Sequence, residues 1–188
     1  MNVYDFDNTI YRGESTLDFY FFCIRKNKRL LRLIPQVFRA LILYKLCRMP
    51  MERLELYVEK YASEFLHMLG GIDEMSRAFW DRRMNKIKDF YKKQQREDDL
   101  IISASCDFLL AEGLKRLGIK NYLCSSIDPQ TGQIKQLCYH KNKAGLYKRC
   151  YPNVPVENFY TDSMNDLPMI ELAEHAFLVK GNRISQLK

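Results

Sequence analysis

The chain has 188 residues, of which 47% are hydrophobic and 28% are charged. This length suits one α/β core with a modest insertion and excludes two full catalytic domains. The composition is that of an ordinary globular protein, which excludes a disordered, collagen-like or disulfide-stapled chain. The net charge of +7 is local, because the stretch between Asp18 and Glu52 has eight basic residues and no acid. It therefore does not predict a nucleic-acid-binding domain.

The N-terminus and the cysteines indicate the compartment. The chain enters an apolar stretch directly after Met1, without the basic and apolar regions of a signal peptide. No uninterrupted apolar run approaches the ~20 residues that span a bilayer, so we expect no transmembrane segment. The six cysteines are scattered, without Cys-x-x-Cys pairs or zinc-ligand spacing. We therefore expect reduced thiols and a cytoplasmic protein.

The first half of the chain reads as two strands separated by helices. Residues 2–9 and 99–105 are short apolar segments that end in polar residues, which is typical of buried parallel strands. Between them, residues 15–94 carry almost no glycine, and apolar residues recur three or four apart. That spacing predicts a helical block.

The second half alternates between helix and strand. Residues 108–117 are amphipathic and precede Gly118, a suitable helix C-cap, and residues 122–125 read as a strand. Residues 128–132 have turn chemistry and predict a hairpin tip, and residues 158–161 read as a further strand. Residues 176–179 read as the final strand.

This alternation predicts an α/β fold: a Rossmann-like parallel sheet with helices on both faces, whose ligands bind beyond the carboxyl ends of the strands. The predicted catalytic core comprises residues 1–13 and 95–188, and residues 14–94 form an inserted helical cap.

Polar residues at the ends of three predicted strands carry the chemistry. They are Asp5 with Asp7, Ser103, and Asp162 with Asp166. The carboxyl ends of parallel strands meet at one edge of the sheet, so residues distant in sequence can share one crevice. Such a crevice is suited to phosphoryl transfer.

The carboxylates predict a magnesium site and a nucleophile. Asp5, Asp7 and Asp162 offer the oxygen ligands that Mg²⁺ prefers, with positions left for water and phosphate. With phosphate charge neutralised, Asp5 could attack phosphorus and form an aspartyl-phosphate. Crowding of carboxylates raises their pKa values, so Asp7 could protonate the leaving alcohol and later activate water.

The phosphoryl oxygens also require donors. Ser103 with the amides of the following turn could supply hydrogen bonds, and a lysine on a loop, Lys143, could supply positive charge. Asp166 would hold that lysine, or the water shell of the metal, in place.

These residues resemble the motifs of the haloacid-dehalogenase (HAD) superfamily. Asp5-Phe6-Asp7-Asn8-Thr9 is similar to its first motif, D-x-D-x-T. Ser103 is similar to the second motif and Lys143 to the third. The segment 162–166, which begins with Asp162 and ends with Asp166, is similar to the acidic fourth motif. The chain is most similar to the phosphoserine-phosphatase-like group, subfamily IB, in which a helical cap of the C1 type follows the first motif.

The resemblance implies further roles. It places Thr9, Ser103, Ala104 and Lys143 at the phosphate, and it makes Glu14 a substrate-binding residue. The sequence departs from the family pattern at Thr161, Ala104, Ser105 and residues 140–142, where glycines are usual. The last departure makes Lys141 a rival to Lys143. These changes, and the lack of an identifiable cap arginine, weaken the prediction that phosphoserine is the substrate.

The sequence therefore predicts a Mg²⁺-dependent phosphatase acting on a small or lipid-like phosphate ester. Two alternatives stay open: a phosphotransferase of the same fold, and a non-catalytic module that binds phosphate esters or a membrane surface. No nucleic-acid partner is expected. The basic, aromatic-rich stretch from Phe19 to Arg48 also predicts weak contact with anionic membrane surfaces.

Overall fold

A seven-stranded sheet forms the centre of the molecule. The structure, a computed structural model, describes residues 1–36, 39, 42 and 51–188, and it describes only the backbone of residues 51–55 and 58. In chain order the strands are β1 (Asn2–Tyr4), β2 (Leu100–Cys106), β3 (Asn121–Ile127), β4 (Ile134–Gln136), β5 (Val156–Thr161), β6 (Ala173–Lys180) and β7 (Arg183–Gln186).

The strand order is β4-β3-β2-β1-β5-β6-β7. Strands β3, β2, β1, β5 and β6 are parallel, whereas β4 and β7 pair antiparallel with the strands beside them at the two edges. The chain starts at the centre, runs to one side and then returns to the other. This doubly wound order confirms the predicted Rossmann-like fold class and brings the carboxyl ends of β1, β2 and β5 together.

Two strand predictions need correction. The predicted strand 2–9 pairs as β1 only over Asn2–Tyr4, because the chain turns away after Asp5 and Asn8 has a positive φ of 57°. Residues 176–179 lie in β6, but β6 is not the final strand, since β7 follows it. All four residues of β7 are exposed, so no buried apolar run marks this edge strand.

Helices fill the connection from β1 to β2, as predicted for the residues that the structure describes. They are α1 (Ser15–Lys26), a 3₁₀ helix (Lys28–Leu33), α2 (Met51–Leu69), α3 (Ile72–Arg83), a 3₁₀ helix (Met84–Lys86) and α4 (Asp89–Gln94). The later helices are α5 (Asp107–Arg116), α6 (Lys141–Cys150), a 3₁₀ helix (Met164–Asp166) and α7 (Leu167–Leu172).

The predicted C-cap of α5 at Gly118 and the predicted hairpin tip at residues 128–132 are confirmed. Gly118 follows α5 with φ of 73°, and the Ile119 amide donates to the carbonyl of Leu114, which closes the helix as a glycine C-cap does. At the β3–β4 hairpin, the Gly132 amide donates to the carbonyl of Asp128.

The hydrophobic core has two parts. The first surrounds Phe6, Phe79 and Trp80, all fully buried, and joins the helices between β1 and β2 to the sheet and α5. The second lies around Phe159 and Met169 and joins α6 and α7 to the sheet. Helices therefore cover the sheet with apolar contacts on both sides, which leaves the carboxyl edge of the parallel strands for the polar site.

Asp99 is a buried carboxyl group away from that edge. It is 1% exposed, its Oδ2 accepts from the Arg96 amide at 2.9 Å, and its Oδ1 has no hydrogen-bond partner. Burial, opposed by the Arg96 amide and reinforced by the charge of Asp98, raises its pKa to about 6. The charged form is therefore disfavoured in the folded state.

We expect Asp99→Asn to stabilise the protein at pH 8 by about 1–3 kcal/mol, since a pKa unit corresponds to about 1.4 kcal/mol. The folded-state pKa lies above the unfolded value, so the stability of the unmodified chain should rise as pH falls from about 6 toward 4. The variant should lack the part of this rise that comes from Asp99, so its rise should be smaller than that of the parent. Urea unfolding at pH 8, 6 and 5 measures both effects. The exposed neighbour Glu97→Gln is the control, and an Asp99→Asn variant less stable than the parent at pH 8 would contradict the prediction.

In the described part of the chain, no helix combines the length and the apolar character needed to cross a membrane. The five cysteines that lie there (Cys23, Cys106, Cys124, Cys138 and Cys150) are free thiols. Part of the basic stretch, including Lys45 and Arg48, lies outside the described residues.

Candidate active site

A buried ion-pair network forms directly after β1. Lys143 Nζ lies 2.7 Å from Asp5 Oδ1 and 2.9 Å from Asp166 Oδ2, and all three side chains are at most 8% exposed. Asp5 follows β1, and Asp166 ends the 3₁₀ helix that follows β5. Three segments far apart in the sequence therefore meet at the carboxyl edge of the sheet.

Lys143 lies on a helix, so its prediction as a loop residue was wrong. It is the third residue of α6, and the backbone of the first turn directs its side chain inward to the two carboxylates. Lys141, the rival, starts the same helix but is exposed to solvent. The structure thus places Lys143, and not Lys141, beside Asp5.

The network has strongly shifted proton affinities. Burial, together with the charges of Asp166 and Asp162, raises the pKa of Asp5 to about 7 despite the opposing charge of Lys143. Burial disfavours the Lys143 cation, but the two carboxylates outweigh it and raise the lysine pKa. Lys143 is therefore a permanent cation that holds Asp5 and Asp166 in a site with surplus negative charge.

Both oxygens of Asp5 have partners. Thr9 Oγ1 donates to Asp5 Oδ2 at 3.1 Å, while Lys143 occupies Oδ1. On the other side of the lysine, Thr161 Oγ1 donates to Asp166 Oδ2 at 2.9 Å. Thr161, which stands where the family usually has glycine, thus fixes the orientation of Asp166.

Asp7 is held by two donors. The Ser15 amide at the start of α1 lies 2.5 Å from Asp7 Oδ1, and Ser105 Oγ lies 2.6 Å from Asp7 Oδ2. Ser105 Oγ is also within 2.9 Å of Thr16 Oγ1. Burial raises the pKa of Asp7, while these hydrogen bonds oppose the shift. Burial therefore favours the protonated form of Asp7 more than in an exposed aspartate.

Ser105 is a residue that the sequence did not reveal as part of the site. In the sequence it is only a departure from the glycine usual there, yet it joins Asp7 to the start of α1. The register of β2 against β3 shifts between Ser103 and Cys106, and this irregularity lies where Ser105 reaches Asp7. No feature of the amino-acid pattern predicts that shift.

Lys88 is a second residue that was not predicted. It is 4% exposed, and its Nζ donates to the carbonyl of Asn8 and, at 2.8 Å, to that of Gly181. Burial lowers its pKa, and the nearby Asp162 opposes that change. Lys88 therefore ties the loop that carries Asp5 and Asp7 to the β6–β7 turn.

Ser103, Ala104 and Glu14 complete the predicted set. Ser103 is 1% exposed, and its Oγ accepts from the Ser105 amide at 3.1 Å; in the described residues no hydrogen bond joins it to Asp5. Ala104 and Glu14 line the cavity beside Asp7. Glu14 Oε1 accepts from Asn8 Nδ2 at 2.8 Å, so the predicted substrate residue also braces the loop.

The carboxylates form a partial ligand set for a metal ion. Among the described residues, no group of three or more His, Cys, Asp or Glu side chains is arranged to hold one. Mg²⁺, however, is commonly bound by one or two carboxylates with water and phosphate. Burial raises the pKa of Asp162, the charges of Lys180 and Lys143 oppose this, and those of Asp166 and Asp7 add to it. Asp5 and Asp162 thus offer oxygen donors where negative charge is in excess, which fits a divalent cation.

The β3–β4 hairpin contacts α2 above this edge of the sheet. Glu59 Oε1 accepts from the Ile134 amide at 3.0 Å. A Cβ atom added to Gly132 would lie 2.4 Å from the Cα atom of Ser63. The hairpin tip and the helix therefore approach so closely that only glycine is accommodated, and this contact sets the position of α2 over the site.

We expect Gly132→Ala to destabilise the protein by about 2–4 kcal/mol and to lower activity, because overpacking adds to the strain of a positive φ. Gly118→Ala is the matched control, since Gly118 has nearly the same φ, 73° against 77°, but open space around its Cβ position. The control should lose only about 1–2 kcal/mol. Urea unfolding of both variants measures the difference, and equal losses would show that the hairpin contact is unimportant.

The family model of haloacid dehalogenase-like hydrolases matches residues 3–171. The chain therefore belongs to the haloacid dehalogenase-like hydrolase family. No curated protein matches the sequence significantly.

Solved structures share the fold at low sequence identity. A Bordetella pertussis Tohama I protein of unknown function has a TM-score of 0.71 at 14% identity, over 94% of this chain and 87% of that one. A phosphoserine phosphohydrolase-like protein from Francisella tularensis has a TM-score of 0.59 at 14% identity, over 94% and 86%. A phosphoserine phosphatase solved as a phospho-aspartyl intermediate analogue has a TM-score of 0.54 at 14% identity, over 93% and 83%. The chain is thus a family hydrolase with a phosphoserine-phosphatase-like fold.

Proposed function

We propose that this protein is a Mg²⁺-dependent phosphatase that hydrolyses phosphate monoesters through an aspartyl-phosphate on Asp5. The observation that carries the proposal is the buried Asp5–Lys143–Asp166 network at the carboxyl edge of the sheet. A nucleophilic carboxylate needs an adjacent cation to approach a phosphate dianion, and Lys143 supplies one.

The first step forms a bond between an Asp5 oxygen and phosphorus and breaks the bond from phosphorus to the alcohol oxygen. Asp7 gives its proton to that oxygen, and its raised pKa supports this role. In the second step Asp7 takes a proton from water, whose oxygen attacks phosphorus and releases Asp5. Lys143 holds the phosphoryl oxygens in both steps, Ser103 and the backbone at Ala104 add donors, and Thr9 orients Asp5 through its hydrogen bond to Oδ2.

Asp5 and Asp162 would hold the magnesium ion, with Asp7 as a weaker contributor because two hydrogen bonds already engage its carboxylate. Bound there, Mg²⁺ would neutralise phosphate charge. Asp166 acts by positioning Lys143.

A phosphate-release screen tests the proposal. The purified protein is incubated with amino-acid, sugar, nucleotide and alkyl phosphates, with Mg²⁺ or with EDTA, and inorganic phosphate is measured. Release that requires Mg²⁺ supports the proposal, and release that is unchanged by EDTA contradicts the metal role. No release from any ester under either condition would contradict the activity.

The described part of the basic stretch supports a further contact, with membrane surfaces. Phe21 and Leu31 are 41% and 47% exposed. They lie among exposed cations on α1 and the 3₁₀ helix that follows it, namely Arg25, Lys26, Lys28, Arg29 and Arg32. Apolar and basic side chains on one segment are typical of a surface that contacts anionic lipid.

We expect the protein to float with phosphatidylglycerol vesicles and not with phosphatidylcholine vesicles. A Lys28→Gln, Arg29→Gln variant should lose about fivefold in binding per charge, since each basic residue near an anionic surface contributes about 1 kcal/mol. The control is Lys92→Gln, Lys93→Gln, which removes two exposed charges from α4. Equal binding to both kinds of vesicle would contradict the prediction.

A further inference from the structure

A cavity of about 370 Å³ opens beside Asp7. Its walls are mainly aliphatic and aromatic, contributed by α1, α2, the start of α5 and β3, and they include Leu17, Phe19, Phe65, Leu66, Phe108 and Ile127. The volume lies within the range of about 300–1,000 Å³ that is usual for small-molecule sites. It is therefore large enough for a substantial part of a substrate.

The cavity is continuous with the proposed catalytic groups. Asp7, Ala104 and Ser105 form part of its wall. Asp7 is the group proposed to protonate the departing alcohol, so that alcohol must lie on the Asp7 side of the phosphate. The alcohol portion of the ester is thereby directed into the apolar cavity. This step rests on the proposed function.

The charges around the cavity disfavour the carboxylate of an amino-acid phosphate. Among the described residues that line it, none is Lys, Arg or His, whereas Asp7 and Glu14 are acids. The carboxylate of phosphoserine would be buried near these acids, and none of the described lining residues would supply a cation to pair it, so its desolvation cost would be high. An uncharged apolar chain would meet no such penalty.

We propose that the substrate is a phosphate monoester of a long-chain apolar alcohol, with the chain in this cavity. Leu33 lines the cavity from the same 3₁₀ helix on which Leu31 is 47% exposed. An amphiphile resting on that surface would thus lie beside the cavity that takes its chain. Each methylene transferred from water contributes about 0.8 kcal/mol, which corresponds to about a fourfold gain in kcat/KM.

The test is a series of n-alkyl phosphates from ethyl to octyl, assayed below their micelle concentrations with phosphoserine alongside. We expect kcat/KM to rise about fourfold per methylene, about two orders of magnitude from butyl to octyl, and to favour octyl phosphate over phosphoserine. No dependence on chain length, or equal hydrolysis of phosphoserine and octyl phosphate, would overturn the proposal.

A pair of substitutions on α2 locates the effect. Ala62 lines the cavity, so Ala62→Phe should lower kcat/KM for octyl phosphate at least about tenfold while leaving ethyl phosphate within about twofold. His67 is exposed on the same helix, so His67→Phe adds the same ring outside the cavity and should change neither substrate. Equal losses with both substrates in Ala62→Phe would overturn the placement of the chain. The n-alkyl phosphate series measured with the unmodified protein tests the proposal even if this variant does not fold.

Calorimetry with octylphosphonate, which cannot be hydrolysed at its carbon–phosphorus bond, tests the apolar substrate site separately from the proposed phosphatase activity. Binding that Ala62→Phe weakens, without turnover of any ester, would retain the apolar cavity site and refute the phosphatase. Hydrolysis of short esters without octylphosphonate binding would retain the phosphatase and refute the apolar substrate.

Discussion

Asp5→Asn should lower kcat for phosphate-ester hydrolysis by about a thousandfold or more while the chain stays folded. The amide of asparagine is a poor nucleophile, and loss of a covalent catalyst typically costs several orders of magnitude. The substitution is nearly isosteric and keeps an oxygen that can accept from Thr9 or Lys143. It also removes a buried negative charge from a site in which Asp166 still pairs with the lysine. Phosphate release measures kcat, and near-ultraviolet circular dichroism shows whether the variant stays folded.

A second readout separates loss of the nucleophile from general damage. Acid-quenched reactions of the unmodified protein should carry one phosphoryl group by intact-mass analysis, and the Asp5→Asn variant should carry none. Asp89→Asn is the control, because that side chain is 81% exposed and should leave turnover unchanged. Mass analysis also verifies that the asparagine has not deamidated back to aspartate. Substantial turnover by an intact Asp5→Asn variant would refute the mechanism.

The convergence of the site could be predicted because it depends on topology. Asp5, Asp162 and Asp166 follow strands that read clearly as buried and apolar, and a doubly wound sheet leaves few ways to order them. The contact of Lys143 with both Asp5 and Asp166 bears out that convergence for three of the predicted residues. The catalytic and metal roles of the predicted residues stay predictions.

What the sequence did not predict depends on local backbone geometry. Ser105 reaches Asp7 where the β2 register shifts, and Lys88 reaches the carbonyl of Asn8 from 80 positions away in the chain. The helix that carries Lys143 is basic at both ends and contains Gly145, so its pattern resembles a loop. The apolar cavity forms where side chains from α1, α2 and the core meet, so the sequence of no single segment predicts it.

Lys143, the cation of the network, should be important for both turnover and stability. We expect Lys143→Met to lower kcat/KM by about 10²–10³-fold, the usual effect of removing one charge-stabilising donor. It should also destabilise the apoprotein by about 3–5 kcal/mol at pH 8, because two buried carboxylates lose their counter-charge. Lys141→Met, on the exposed side of the same helical turn, should change stability by less than about 0.5 kcal/mol and leave activity intact.

A double variant then distinguishes charge balance from catalysis. In Lys143→Met, Asp166→Asn the network loses one cation and one anion together, so most of the lost stability should return. Activity should not return, because no cation would be left to hold the phosphoryl oxygens beside Asp5. Urea unfolding and phosphate release across the four proteins of the cycle measure both quantities. Recovery of activity with stability would mean that Lys143 only supports the fold, whereas recovery of stability alone would assign the lysine to the phosphate as well as to the two carboxylates.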